Sequence, residues 1–286
     1  MYGALFGDYV GSIYEWHNIK TKDFPLGSRG CQFTDDSYMT IAVAQACNNW
    51  EEHRDLAAFQ EDVQFEMIRI GLTYPNKGYG GRFRRWLNSD HPYPYGSYGN
   101  GSAMRVSPCG LAARSLSEAL DLAKASAMPT HDHPEGIKGA QAVAAAVYLA
   151  YNDYPKEAIR EAIHEYFYPL DKTLDEIRPG YKFDETCQGS VPQAIEAFLE
   201  STNFEDAIRN AVSIGGDSDT IAAITGSIAE AYYGMPHAFN RKTRYEVERL
   251  CYREEQDIVA RFRHRFCKQL YIGDKHGEDP RKETRK

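Results

Sequence analysis

The sequence predicts an all-α fold, a single compact domain of many helices, and two observations support this prediction. Over much of the chain, apolar residues recur at spacings of three and four, the pattern of a helix with one buried face. Alternating β-branched runs bounded by turn residues, which are typical of strands, are nearly absent. The segments with the helical pattern are 35–49, 54–71, 117–127, 136–151, 155–167, 187–200, 204–213 and 218–233.

No low-complexity linker or internal repeat divides the 286 residues. We expect one helical domain over residues 1–270 and a polar, flexible tail over 271–286. The least helical segment runs from 74 to 108, and a loop of that length inside a compact domain is usually functional. We expect its aromatic side chains to pack on the protein: Tyr79, Phe83, Trp86, Tyr93, Tyr95 and Tyr98.

Composition excludes several classes of protein. A net charge of −8 provides no general field to attract nucleic acid or a membrane, so an anionic ligand must be held by helix N-termini, backbone amides or cations. The six cysteines include no C-x-x-C pair, which argues against a thiolate zinc site and favours a reducing compartment. The N-terminus lacks a basic secretion signal, and no apolar run could span a bilayer. We therefore expect a cytoplasmic protein, and a monomer by default.

Two carboxylates, Asp35 and Asp36, follow Thr34 where a helix begins. One acid or the threonine would serve as an ordinary N-cap, whose side chain accepts a hydrogen bond from the helix backbone. Two adjacent carboxylates exceed that need, because they repel each other unless a cation lies between them. This pair therefore indicates a cation site as readily as a cap.

A second pair, Asp217 and Asp219, follows two glycines and precedes Thr220, again at the start of a helix. Oxygen ligands of this kind suit hard cations such as Mg²⁺ or Mn²⁺ rather than zinc. If the two helix starts converge, their carboxylates would hold two divalent cations, as in two-metal hydrolases. The periodicity alone does not establish that they converge.

The N-terminal segment carries glycine at every fourth position, at Gly3, Gly7 and Gly11. Glycine inside a helix costs about 1 kcal/mol relative to alanine, so we expect a neighbouring helix to approach this face closely. Asp8 and Glu15 lie seven residues apart and would share nearly the same face of that helix. Glu15 would then lie near the helix C-terminus, where it is either exposed and inert or held by a cation and chemically useful.

Two further segments are candidates for ligand binding. Residues 96–105 combine three glycines with hydroxyl and amide side chains, which could form a turn or a backbone cradle for a diphosphate. In the segment 130–134, one histidine could contact a substrate while Asp132 or His133 caps the following helix. A metal site made by these histidines is not expected, because they share one short loop and lack a third partner.

Taken together and in this order, the motifs resemble those of the ADP-ribosylglycohydrolase family. The similar segments extend from residue 3 to about 234. They are G-A-L-F-G-D-Y-V-G-S-I-Y-E at 3–15, T-D-D-S at 34–37, G-Y-G-G at 78–81, G-N-G-S-A-M-R at 99–105, T-H at 130–131, S-V-P-Q-A-I at 190–195 and G-G-D-S-D-T at 215–220. Ser37 stands where threonine is common. Glu230 interrupts a run of small residues, and we expect it on the exposed face of its helix.

The resemblance implies an all-α domain with a binuclear Mg²⁺ or Mn²⁺ centre, and it assigns roles by matching position. Glu15 would act in acid–base chemistry, and Asp35 and Asp36 would take part in catalysis through the cations. The implied metal ligands are Thr34, Asp35, Asp36, Asp217, Asp219 and Thr220. The implied contacts to ADP-ribose are Gly80, Ser97, Tyr98, Gly99, Asn100, Gly101 and His131.

The function implied is hydrolysis of the glycosidic bond between ADP-ribose and a modified acceptor, with ADP-ribose as product. The acceptor stays open, because arginine, serine, a nucleic-acid base or a small ester would each fit these motifs. A nucleic-acid acceptor is not indicated by the charge. Two alternatives are a two-metal phosphohydrolase that acts on a nucleotide and a non-catalytic relative that binds ADP-ribose.

Overall fold

The computed structural model describes residues 1–267, and within them the chain forms fifteen α-helices and no strand. The all-α prediction is confirmed. The tail predicted for 271–286 lies outside the described residues. The helices are α1 (Tyr2–Gly11), α2 (Asp35–His53), α3 (Leu56–Thr73), α4 (Gly81–Leu87), α5 (Gly101–Met104), α6 (Ser107–Ala112), α7 (Leu116–Ala127), α8 (Pro134–Tyr151), α9 (Lys156–Tyr166), α10 (Leu174–Ile177), α11 (Cys187–Leu199), α12 (Phe204–Ile214), α13 (Ser218–Tyr233), α14 (His237–Leu250) and α15 (Arg253–Phe266).

Each of the eight segments predicted from periodicity coincides with most of a helix. The remaining helices are the glycine-containing α1, the short α4, α5, α6 and α10, and the strongly charged α14 and α15. The segment 74–108 holds the short helices α4 and α5 and the start of α6. The prediction that all its aromatic side chains pack on the protein is wrong for two of them, since Tyr93 is 73% exposed and Tyr98 is 46% exposed. Tyr98 lies against the ring of His133 at 5.3 Å, so only part of its surface is covered. Within the described part of the chain, no helix has the length and apolar character of a membrane span.

Helix α13 lies at the centre of the fold, and every residue from Ser218 to Ala231 is buried. Its main contact is with α1, through the glycines of α1. A Cβ atom on Gly3 would lie 2.0 Å from the carbonyl oxygen of Gly226, and one on Gly7 would lie 2.0 Å from that of Ala222. The predicted glycine face is therefore confirmed, and the close packing of the two helices offsets the intrinsic cost of glycine.

Replacing Gly7 with alanine should destabilise the protein by about 2–3 kcal/mol, because the new methyl group would overlap backbone atoms that cannot move independently. The free energy of unfolding in urea would measure this loss. Gly180→Ala is the matched control, since a Cβ atom there meets nothing within 4 Å. Equal stabilities for the two variants would contradict this account of the α1–α13 contact.

Glu230 is buried, so the prediction that it lies on an exposed face is wrong. Its carboxylate accepts a hydrogen bond from the backbone N–H of Gly3 at 2.7 Å and pairs with Arg263 of α15 at 3.0 Å. Burial opposes ionisation, but the Met1 amino group and the Arg263 guanidinium outweigh it and hold the pKa of Glu230 below its ordinary value. The glutamate is tolerated on α13 because α15 brings a buried cation to it.

Candidate metal centre and ligand cavity

The two aspartate motifs converge where the N-termini of α2 and α13 meet α1. Carboxylate oxygens of Asp8, Asp36 and Asp219 lie within 4.8 Å of one another, and those of Glu15, Asp217 and Asp219 form a second group within the same limit. Asp219 belongs to both groups. A carboxylate shared in this way is placed to bridge two cations.

Asp8 is the member of the cluster that was not predicted as part of the site. It is fully buried and accepts hydrogen bonds from the backbone N–H groups of Thr34, at 2.9 Å, and Ser37, at 3.2 Å. It also accepts bonds from the hydroxyls of Thr34, at 2.7 Å, and Ser37. Three of these bonds end on Oδ2 and one on Oδ1, so Asp8 orients the start of α2 mainly through Oδ2 and keeps an acceptor position on Oδ1.

Asp8 also replaces the capping bond predicted for α2. Thr34 is the N-cap residue, but neither its side chain nor that of Asp35 accepts a bond from the first turn. The carboxylate of Asp8, reaching across from α1, satisfies the N–H groups at this helix end instead. The carboxylates of Asp35 and Asp36 are therefore not used to cap α2.

The oxygens of Asp36 and Thr34 fit a divalent cation. Asp36 Oδ1 is buried and has no hydrogen-bond partner among the described residues. Thr34 has one hydroxyl hydrogen, and its shorter contact, to Asp8, takes it. Thr34 Oγ1 and Asp36 Oδ2, 3.1 Å apart, then face each other as two acceptors, an arrangement that a shared cation would stabilise.

Burial and mutual repulsion raise the pKa of the carboxylates in this cluster. The pKa of Asp8 rises to about 7, through burial first and then the charge of Asp219. The pKa of Glu15 rises to about 7 for the same two reasons. Burial is also the main cause of the raised pKa of the remaining acids, which are Asp35, Asp36, Asp217 and Asp219. The metal-free site therefore retains protons that bound cations would displace.

The metal-free protein should lose stability between about pH 4 and pH 7, and a divalent cation should restore it. With carboxyl pKa values raised above 3.8 in the folded state, that state binds more protons than the unfolded chain across this window. The free energy of unfolding then falls as pH rises. Thermal unfolding in a chelator and in Mn²⁺ would measure it, with Mn²⁺ raising Tm more at pH 7.5 than at pH 5. An equal Mn²⁺ effect at both pH values would contradict the proposed competition with protons.

A cavity of about 280 Å³ opens beside the cluster and brings most predicted ligand residues to the acids. Asp35 lines this cavity, although it belongs to neither close carboxylate group. Thr220 also lines it, with its hydroxyl 3.9 Å from the sulfur of Met104. The predicted ADP-ribose contacts found in the wall are Gly80, Ser97, Gly99, Asn100, Gly101 and His131. Tyr98 is not among the residues that line this cavity.

Asn100 joins the glycine-rich loop to the acidic cluster. Its side-chain amide donates to Asp217 at 2.7 Å, and its backbone N–H donates to the carbonyl of Glu185 at 2.7 Å. The next backbone bond, from Cys187 to the carbonyl of Tyr98 at 2.9 Å, fixes the loop against the start of α11. The loop is therefore held in register with a carboxylate of the candidate metal centre.

His131 is buried against the same loop. A Cβ atom on Gly101 would lie 3.3 Å from His131 Nε2, so the ring packs closely on the backbone of this loop. Burial, followed by the charges of Arg105 and Arg82, lowers the pKa of His131 well below its ordinary value, so the ring is neutral at physiological pH. The adjacent histidine, His133, caps α8 by accepting a bond from the backbone N–H of Glu135 at 3.1 Å, as predicted.

Glu15 lies in the cavity wall but not on a helix, contrary to the prediction. Helix α1 ends at Gly11, where the backbone begins the irregular connection to α2. Glu15 is half-buried there and approaches Asp217 and Asp219. The dipole of α1 therefore does not act on Glu15 as predicted, and the position of Glu15 depends on contacts made by the connection.

Comparisons with known proteins agree with this architecture. The model of the ADP-ribosylglycohydrolase family matches residues 1–270. The chain is 28% identical to ADP-ribosylhydrolase ARH3 of Mus musculus and to that of Homo sapiens, in each case over 92% of this chain, and over 89% and 91% of those proteins. It is 27% identical to an ADP-ribosylarginine hydrolase of Pseudomonas putida, over 82% of this chain and 69% of that protein.

A solved structure described as an ADP-ribosylglycohydrolase-related protein complex shares the fold. The TM-score is 0.65 at 24% sequence identity, with 92% of this chain and 96% of that chain covered. The family model, which covers nearly the whole sequence, agrees with the motifs and with the helices that carry them. This chain belongs to the ADP-ribosylglycohydrolase family.

Proposed function

We propose that this protein is a divalent-cation-dependent hydrolase that releases ADP-ribose from a modified acceptor. The observation that carries the proposal is Asp219, which two carboxylate groups share at the end of a cavity lined by the predicted ADP-ribose contacts. The relatives named for ADP-ribosyl hydrolysis support the reaction class. Of these two names only ADP-ribosylarginine hydrolase states an acceptor, so the acceptor remains open between a protein side chain, a nucleic acid and a small molecule.

We assign two Mg²⁺ or Mn²⁺ ions to this centre. Thr34, Asp35 and Asp36 would hold them from the start of α2, and Asp217, Asp219 and Thr220 from the start of α13. The free oxygen of Asp36 and the all-oxygen donor set support this assignment. When bound, the cations would polarise the ribose hydroxyls and lower the pKa of a coordinated water.

Other residues of the cavity would bind the diphosphate, stabilise charge and transfer a proton. Gly80, where a Cβ atom would meet nothing within 4 Å, would leave room for a diphosphate, and His131 supports the loop Gly99–Gly101 as a neutral ring. The buried carboxylates stabilise positive charge that develops at the anomeric carbon as its bond to the acceptor breaks. A water oxygen forms the new bond to that carbon, and Glu15 transfers the proton that the acceptor gains or the water loses.

Glu15 is suited to proton transfer because its pKa, raised to about 7 by burial and by Asp219, lies near neutral pH. A group with such a pKa can give up and regain a proton in one reaction cycle. Glu15 belongs to one of the two close carboxylate groups but is only half-buried, so a leaving group could reach it.

Product analysis on defined ADP-ribosyl linkages tests the proposal against its two alternatives. Arginine-, serine- and base-linked ADP-ribose and the O-acetyl ester would each be incubated with Mg²⁺, Mn²⁺ or chelator. We expect free ADP-ribose from at least one linkage, and none in chelator. Release of inorganic phosphate or AMP would indicate a phosphohydrolase instead. Binding of ADP-ribose without turnover of any linkage would indicate a non-catalytic relative.

A further inference from the structure

The side chain of Asn18 helps to fix the connection that carries Glu15 to the metal motif, residues 215–220, where Ser218 also donates to the carbonyl of Tyr14 at 3.4 Å. The Asn18 amide nitrogen lies 2.7 Å from the carbonyl oxygen of Tyr14 and 2.9 Å from those of Glu15 and Gly216. Its oxygen accepts the backbone N–H of Gly216 at 2.8 Å. Two amide hydrogens thus serve three carbonyls, and both ends of the side chain contact Gly216.

Half of these contacts are local and half are not. The bonds to Tyr14 and Glu15 close the turn in which Glu15 lies, and an isolated turn would need no more than these. The two bonds to Gly216 join positions 198 residues apart, directly before Asp217. A single asparagine therefore joins the proton-transfer residue of one chain segment to the metal ligands of another.

The metal motif is shaped to receive this contact. Gly215 and Gly216 have φ values of 73° and 74°, which residues with a side chain rarely adopt. A Cβ atom on Gly215 would lie 3.3 Å from the Asn18 oxygen and 3.1 Å from the Lys20 ammonium. Gly215 thus keeps space open for Asn18 and Lys20, whereas a Cβ atom on Gly216 would overlap the ring of Tyr181.

Lys20 strengthens the same attachment from the other side. Its ammonium donates to the carbonyl of Ile214, the last residue of α12, at 2.5 Å and to the carbonyl of Tyr181 at 2.8 Å. A cation at a helix C-terminus also interacts favourably with the helix dipole. The connection is therefore held at two points on the loop that leads to Asp217.

We propose that Asn18 is a positioning residue, which sets the distance between Glu15 and the cations held by Asp217 and Asp219. Asn18 is itself exposed, so its loss removes hydrogen bonds that water can partly replace and leaves no buried cavity. The chain should fold without it. Asn18 fixes the position of the turn that holds Glu15 relative to the loop that holds Gly216. The packing of α1 on α13 does not fix this position, because Glu15 lies beyond the end of α1.

The inference rests on the proposed hydrolase activity and predicts a specific kinetic signature. Asn18→Ala should lower kcat by about 10- to 100-fold, the effect typical of residues that orient a metal site, while KM and the affinity for Mn²⁺ change less than about threefold. Asn18→Asp retains the acceptor for Gly216 but loses both donors, so it should not restore kcat. Asn152→Ala is the control, since Asn152 is also exposed and donates to the carbonyl four residues before it, at 2.8 Å, far along the chain from the site motifs.

A double-mutant cycle with Glu15→Gln decides whether Asn18 acts through Glu15. If it does, the Asn18→Ala change should cost little kcat once Glu15 has lost its carboxylate. Equal losses of kcat in the presence and absence of the Glu15 carboxylate would overturn the inference, as would a loss of activity that follows a loss of Tm. If the wild-type protein releases ADP-ribose from no linkage, the proposed function itself fails, and the inference with it. Release by the wild type with additive losses refutes the positioning role alone.

Discussion

Asp219→Asn is expected to abolish cation binding and lower turnover by about three orders of magnitude, while raising the Tm of the metal-free protein. The carboxylate belongs to both close groups, so its loss removes a ligand from each cation. It is also the neighbour whose charge, after burial, contributes most to the raised pKa of Asp8, Asp35 and Asp36. Removing that charge relieves the repulsion between the carboxylates of the cluster and so stabilises the fold. The native protein retains this repulsion because the site serves catalysis.

The two effects of Asp219→Asn separate a metal ligand from a structural residue. Mn²⁺ titration by calorimetry, initial rates and thermal unfolding in chelator would be measured on the same preparation. Asp121→Asn, which removes an exposed aspartate on α7, is the control for a change of one charge. Wild-type activity in the Asp219 variant, or a lower Tm in chelator, would show that the carboxylate has been assigned the wrong role.

Glu15→Gln is expected to lower kcat by about 100- to 1,000-fold and to leave ADP-ribose affinity nearly unchanged. The amide cannot transfer a proton, but it retains the size and most of the polarity of the side chain. The wild-type pH–rate profile should show a limb that depends on Glu15, and the variant should lack it. Initial rates from pH 5 to 9, together with ADP-ribose binding by calorimetry, would measure both effects.

A matched variant and an excess of cation distinguish proton transfer from metal binding by Glu15. Glu185 also lines the cavity but belongs to neither close carboxylate group, so Glu185→Gln should retain activity within about threefold. If Glu15 served only as a metal ligand, a large excess of Mn²⁺ would restore the activity of Glu15→Gln. Recovery of that kind would contradict the acid–base role.

The sequence was sufficient to predict the fold class and the helices with regular apolar spacing, because that spacing reports a buried face directly. Helices α14 and α15 were not among these predictions, since charged residues dominate them and few of their positions are buried. Because α15 was not predicted, Glu230 was wrongly expected to lie on an exposed face. Its partner Arg263 lies on α15, and no local pattern indicates a buried ion pair between distant helices.

The site was predictable in its ligands and less so in the residues that orient them. Asp35, Asp36, Asp217 and Asp219 stand out as pairs at helix starts, whereas Asp8 is a single acid within a helix, between Gly7 and Tyr9. Its position on the face toward α13 became informative only once the close approach of Gly7 was known. Asn18 shows no motif at all, because its role depends on a contact with a loop almost two hundred residues away.

Anomalous scattering from crystals grown with Mn²⁺ would show whether the converging carboxylates form a two-cation site. We expect two peaks in each chain, both in contact with Asp219. Oxygens of Thr34, Asp35 and Asp36 should lie beside one peak, and those of Asp217 and Thr220 beside the other. A single peak that Asp219 does not contact, or no peak at an Mn²⁺ concentration that supports turnover, would contradict the two-cation site.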